Sequence, residues 1–132
     1  MYNEKLYKEL EEIFRFGKPF KGSKKQRKNA EKLYQKLQAQ RDQYLSLKRD
    51  IEDAEHGVWY LSKSFEELVA NCFNWSREPL EWCKKTHQEN LGCFQRGLRF
   101  LAESAGIEVS ADNLLESYKE VLVALKAKMS QF

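Results

Sequence analysis

Residues 30–75, AEKLYQKLQAQRDQYLSLKRDIEDAEHGVWYLSKSFEELVANCFNW, decide the fold. With Ala30 as position a of a heptad, the a positions are Ala30, Leu37, Tyr44, Ile51, Val58, Phe65 and Cys72. The d positions are Leu33, Gln40, Leu47, Ala54, Leu61, Leu68 and Trp75, and only Gln40 among the fourteen is polar. Apolar residues three and four apart fall on one face of a helix. One register held this long predicts a helix of about 70 Å with a coiled-coil-like seam.

Two signals compete with continuity. Gly57 costs about 1 kcal/mol against alanine inside a helix. Ser64-Phe65-Glu66-Glu67 reads as a capping box, which marks a helix start. A nearly continuous helix over 23–75, kinked or broken at Gly57, is the expectation.

Outward from this element the boundaries are clearer. Asn3 caps a first helix over 4–16, with Leu6, Leu10, Ile13 and Phe14 on one face. Gly17 stops it, Gly17-Lys18-Pro19-Phe20-Lys21-Gly22 is a loop, and Ser23 caps the long helix. Pro79 sits in the first turn of a helix over 79–105, where its missing N–H costs nothing, and Gly106 ends it. Ser110 caps a last helix over 111–130, with Leu114, Leu115, Tyr118, Val121, Leu122, Leu125 and Met129 inside. The fold class is all-α: an antiparallel helical bundle in one domain, 1–132, with one long coiled-coil-like helix, kinked or broken at Gly57. The long helix outruns its partners, so part of its seam is expected to meet a helical partner protein or a second copy.

Composition narrows the class. With 132 residues, 42% hydrophobic and 33% charged, the chain is one ordinary globular domain rather than a disordered one. Six Gly and two Pro leave few turns, which disfavours a β-rich fold. No apolar run is long enough to span a membrane, and Met1-Tyr2-Asn3-Glu4-Lys5 lacks the stretch of a secretion signal. Three cysteines at no framework spacing fit a reducing compartment, so a cytoplasmic setting is expected.

The charge is uneven. Residues 15–36 hold nine Lys and Arg against Glu31, a net of +8, which leaves −5 elsewhere in a chain of net +3. Lys18, Lys21, Lys24, Lys25, Arg27, Lys28 and Lys32 are the candidate nucleic-acid ligands, flanked by Arg15 and Lys36. Lysines that neutralise phosphates release counterions and bind without regard to sequence. Phe16, Phe20 and Tyr34 lie among them as candidate stacking partners for unpaired bases. An acidic protein, an anionic lipid surface and a plain solvated face are the competing readings. Gly17-x4-Gly22-Ser23-Lys24 is not a P-loop, because Lys must directly follow the second Gly, ahead of Ser or Thr.

Two further constellations carry chemistry on paper. Arg49-Asp50-x5-His56 places Arg and His two turns apart on one helix face. This spacing is similar to the R-x(4–6)-H motif of HEPN ribonucleases, which are small, helical and commonly dimeric. The resemblance covers eight residues. It implies RNA cleavage with Arg49 and His56 as the catalytic pair and Asp50 as the accompanying polar residue. The six intervening residues are the long end of that range, and Glu52, Asp53 and Glu55 crowd the site with charge that repels RNA. The second set is Cys72, Cys83, His87 and Cys93, a zinc-type donor set that lacks any Cys-x2-Cys pair; core packing is its competing reading. Trp59, Trp75 and Trp82 are expected near one another, as a packed aromatic end or a partner pocket.

The expected function is a non-enzymatic helical binding module, a small subunit or adaptor. It associates through its seam, contacts RNA or DNA through residues 15–36, and needs no cofactor. The HEPN-like ribonuclease and a purely protein-directed adaptor are the alternatives.

Overall fold

A computed structural model describes residues 2–71, 73–110 and 112–132. The chain is an all-α helical bundle, with no strand among the described residues. Its helices are α1 (Glu4–Phe14), α2 (Lys24–Leu61), α3 (Phe65–Asn71), α4 (Phe73–Ser76), α5 (Leu80–Ala105) and α6 (Leu114–Ser130). They form two compact units. One takes the chain up to Lys48 together with Gln131–Phe132, and the other is Arg49–Ser130. Among the described residues no helix is long and apolar enough to cross a membrane.

In the first unit α1 starts where Asn3 Oδ1 accepts the Leu6 N–H at 3.0 Å. It buries Tyr7 and Leu10 against Tyr34 and Leu37 of α2. Tyr34 lies between two near-parallel rings, 5.7 Å from Tyr7 and 5.6 Å from Phe14. Those stacks explain why Tyr34 is buried while the heptad residue beside it, Leu33, stays 38% exposed. The Arg41 guanidinium donates to the Glu4 carboxylate and to the Tyr2 hydroxyl, and stands 4.6 Å from the Tyr7 ring centre. Bonds from Tyr2 and Arg41 hold the Glu4 carboxyl below its usual range. The start of α2 is a reciprocal capping box. The Gln26 N–H donates to Ser23 Oγ at 3.2 Å, and the Ser23 N–H donates to Gln26 Oε1 at 2.8 Å.

In the second unit the long helix passes through Gly57 unbroken and ends at Leu61. The expected single helix over 23–75 is corrected at Ser64, not at Gly57. Ser64 Oγ accepts the Glu67 N–H at 3.1 Å and caps α3. A cap residue takes a non-helical backbone so that its oxygen reaches a free N–H, and that interrupts the helix before it. The apolar seam survives because Leu68 and Trp75 remain buried on the new helices. Gly57 has a different task. A Cβ there would lie 2.6 Å from Cδ1 and Cε1 of Tyr118, whose ring rests on the α2 backbone.

Gly106, at φ +72°, closes α5. Tyr60 meets His87 and Asn90 of α5, and His56, one turn earlier, meets Phe94, so α5 runs antiparallel to this part of α2. The last helix starts later than expected. Asn113 Oδ1 caps it by accepting the Glu116 N–H at 3.1 Å. Ser110, the expected cap, instead accepts the Asp112 N–H on its hydroxyl and the Ser117 hydroxyl on its carbonyl. That bonding holds Ser110 outside the helix. The Tyr118 hydroxyl donates to the Phe94 carbonyl at 2.6 Å, and Lys128 Nζ donates to the Ser104 carbonyl at 2.8 Å. Both contacts advance in the same direction, so α6 runs parallel to α5 and antiparallel to α2. Ala54, Val121 and Leu125 are fully buried in this unit.

Gly57→Ala tests the close approach. Helix propensity alone favours alanine by about 1 kcal/mol. The clash with Tyr118 is expected to outweigh it and leave a net loss of about 1–3 kcal/mol in urea unfolding, as overpacking does. A stabilised variant contradicts the contact.

Candidate nucleic-acid interface

Lys18 and Lys21 lie in the loop after α1; Lys24, Lys25, Arg27, Lys28 and Lys32 lie on the first turns of α2. All seven are exposed. Two are engaged within the chain. Lys18 pairs with Glu12 at 3.2 Å, and the Arg27 guanidinium stands 5.8 Å from the Phe14 ring centre. Among the described residues Lys21, Lys24, Lys25, Lys28 and Lys32 make no ion pair or hydrogen bond. They surround a helix N-terminus, whose first N–H groups also attract anions.

The three rings in this window differ. Phe16 is 67% exposed, with the Arg15 guanidinium 5.4 Å from its centre. Phe20 is half-buried. Tyr34 is part of the core and is not open to stack on a base, which corrects the expectation for that residue. Its burial follows from the two rings of α1 that sandwich it.

Arg49 and His56 are both exposed on α2, and seven residues of helix separate them by about 10 Å along the axis. The His56 ring stacks on Trp59 at 5.9 Å. It also lines a cleft of about 390 Å³ with Asp50, Asp53, Phe94, Gly97 and Tyr118, among others, and Arg49 is not one of the lining residues.

In the cysteine and histidine set, Cys72 lies outside the described residues. The buried Cys83 thiol donates to the Trp75 carbonyl at 3.3 Å. His87 Nδ1 bonds the Tyr60 hydroxyl at 2.7 Å. Cys93 is exposed, and Arg96 Nη2 donates to its sulfur at 3.3 Å. Each group thus faces a different neighbour. Among the described residues no three His, Cys, Asp or Glu side chains converge as metal donors. Trp75 and Trp82 meet edge to face at 6.3 Å, while Trp59 packs on His56.

Sequence reasoning missed the cleft beside His56. Its floor depends on Gly97, whose missing Cβ would lie 3.3 Å from the Tyr118 hydroxyl. Burial pushes the Tyr118 hydroxyl up to about 12, and the Asp53 charge adds to the shift. No protein-family model, curated protein or solved structure matches this chain.

Tyr118 gives an alkaline signature. Its folded value near 12 lies above an unfolded value near 10. Between those pH values the unfolded chain loses the proton that the folded chain keeps. Stability is therefore full below pH 10 and falls as pH rises toward 12, by up to about 1.4 kcal/mol per pH unit for one group. Tyr7, also pushed up to about 12 by burial, contributes with the same sign. Tyr118→Phe is expected to make the pH 10–12 decline in urea-unfolding free energy shallower. An unchanged slope contradicts the raised hydroxyl.

Proposed function

We propose that the chain is a non-enzymatic helical binding module, a small intracellular subunit or adaptor, that holds single-stranded nucleic acid on the basic segment. The observation that carries this is the group of five exposed lysines, Lys21, Lys24, Lys25, Lys28 and Lys32, without partners among the described residues. Lys24 and Lys25, in the first turn of α2, oppose the helix dipole by about 0.3–1 kcal/mol each. Among the described residues no ion pair or hydrogen bond of these lysines offsets that, which supports an external anion. Phe16, open to solvent beside the lysines, favours unpaired bases over duplex. Leu33, a seam residue of α2, is 38% exposed and supports association with a second helix, of the same chain or of a partner. The HEPN-like ribonuclease reading draws less support: Asp50 and Asp53, not Arg49, stand around His56.

Fluorescent single-stranded RNA and duplex DNA titrated at several salt concentrations test this. Five neutralised phosphates give a log–log salt slope near about −3.5 for the single strand. Lys24→Glu, Lys25→Glu and Lys28→Glu together are expected to abolish binding while helicity is kept. Absence of binding at low salt, or binding untouched by the triple reversal, refutes the interface. Sedimentation equilibrium checks the seam: a monomer at every concentration contradicts self-association.

A further inference from the structure

The cleft beside His56 has the opposite chemistry to the basic segment, and the proposal drawn from it is independent of nucleic-acid binding. It lies within the second unit, where α2 faces α5 and α6. Asp50, Asp53 and His56 stand on its α2 side; Phe94, Phe100 and Ser104 stand on α5; Tyr118 comes from α6. Its volume of about 390 Å³ falls in the range of small-molecule sites. Among the described residues neither Asp50 nor Asp53 makes an ion pair or a hydrogen bond. Two cations are held at the cleft wall by lining residues, and neither is paired with the two carboxylates. Lys128 gives its ammonium to the Ser104 carbonyl, and Arg96 gives a guanidinium nitrogen to the Cys93 sulfur. The walls are aromatic: Phe94 packs against Tyr60 and His56, and Phe100 is 69% exposed.

These features restrict the ligand. The two lining carboxylates carry the charge that faces the cleft and disfavour an anion, since Lys128 and Arg96 are not among the lining residues. A neutral apolar ligand would take water from the carboxylates and return no hydrogen bond, which is unfavourable. A hard metal cation needs about six to eight oxygen ligands, and no three acidic or metal-ligating side chains converge here among the described residues. An organic cation meets both demands, with its charge on the carboxylates and its body on ring faces, which themselves attract cations.

We propose that this cleft binds a small organic ammonium ion. Asp50 and Asp53 take the nitrogen, and the Phe94 and Phe100 rings take the apolar body. Phe100, 69% exposed, is open to contact with the apolar body of such a ligand.

The test is a titration of the full chain, ¹⁵N-labelled, with 2-phenylethylammonium and with its neutral analogue 2-phenylethanol, read in the amide signals of Gly97, Phe100 and Ser104. The ammonium is expected to give saturable shifts at these amides and to bind at least about tenfold more tightly than the alcohol. Asp50→Asn with Asp53→Asn is expected to weaken it by about tenfold or more, with helicity unchanged. If that double variant fails to fold, Phe100→Ala, at an exposed position, serves instead and is expected to weaken binding severalfold. Equal affinity for the alcohol overturns the proposal. So does a folded variant that binds within about twofold of the parent, or the absence of saturation up to about 10 mM ammonium. Loss of this site leaves the salt-dependent binding of the basic segment untouched, and the reverse also holds.

Discussion

The ring of Tyr118 rests on the backbone of α2 at the one place where Gly57 offers no side chain, and its hydroxyl donates to the Phe94 carbonyl of α5. One residue of α6 is thereby fixed to two other helices. The order of the second unit follows from it. The last helix must arrive at Phe94 with its first turns, so the chain has to travel back along α5 before α6 begins. Ser110 and Asn113, between the two helices, are held in non-helical positions by their hydrogen bonds. The fully buried Val121 and Leu125 then lie on the same face as Tyr118, one and two turns further on.

The same contact shapes the cleft. Tyr118 forms one wall, Gly97 leaves room beside its hydroxyl, and Asp53 lies close enough to raise the hydroxyl further above its ordinary range. In the first unit the corresponding role falls to Tyr34, clamped between Tyr7 and Phe14. Its burial anchors the start of α2 to α1 and leaves the lysines of that turn facing water. Each unit thus has a buried tyrosine that sets its packing and a charged surface of one sign beside it. Among the described residues, Lys21, Lys24, Lys25, Lys28 and Lys32 of the basic surface and Asp50 and Asp53 of the cleft make no ion pair or hydrogen bond.

Much of the helical order was legible in the sequence because it is set locally. Asn3, Ser23 and Gly106 act within one turn of themselves and stand where local rules place them, while Pro79, expected inside the first turn, stands at the N-cap one residue before α5 begins. The end of the long helix was less legible. Phe65, Leu68 and Trp75 keep the heptad spacing although they belong to later helices, so periodicity alone ran past Ser64. Gly57 was misleading for the converse reason. A glycine that breaks a helix and a glycine that admits a ring look alike until the partner, sixty-one positions away, is known. The start of α6 is misplaced in sequence because only Ser110 reads as its cap there, whereas the Ser117 hydroxyl bonds the Ser110 carbonyl and Asn113 caps the helix. In the candidate interface, exposure of the lysines follows from composition, whereas the burial of Tyr34 depends on α1. The cleft was invisible in sequence because its residues come from three helices.

The proximity of Gly57 and Tyr118 is most directly read by a ¹³C-edited nuclear Overhauser measurement on the full chain. Strong cross-peaks between the Gly57 α protons and the Tyr118 ring protons, with the α protons shifted upfield by the ring current, are the expected result. Gly57 α protons at ordinary shifts with no contact to that ring would contradict the packing on which the second unit is built.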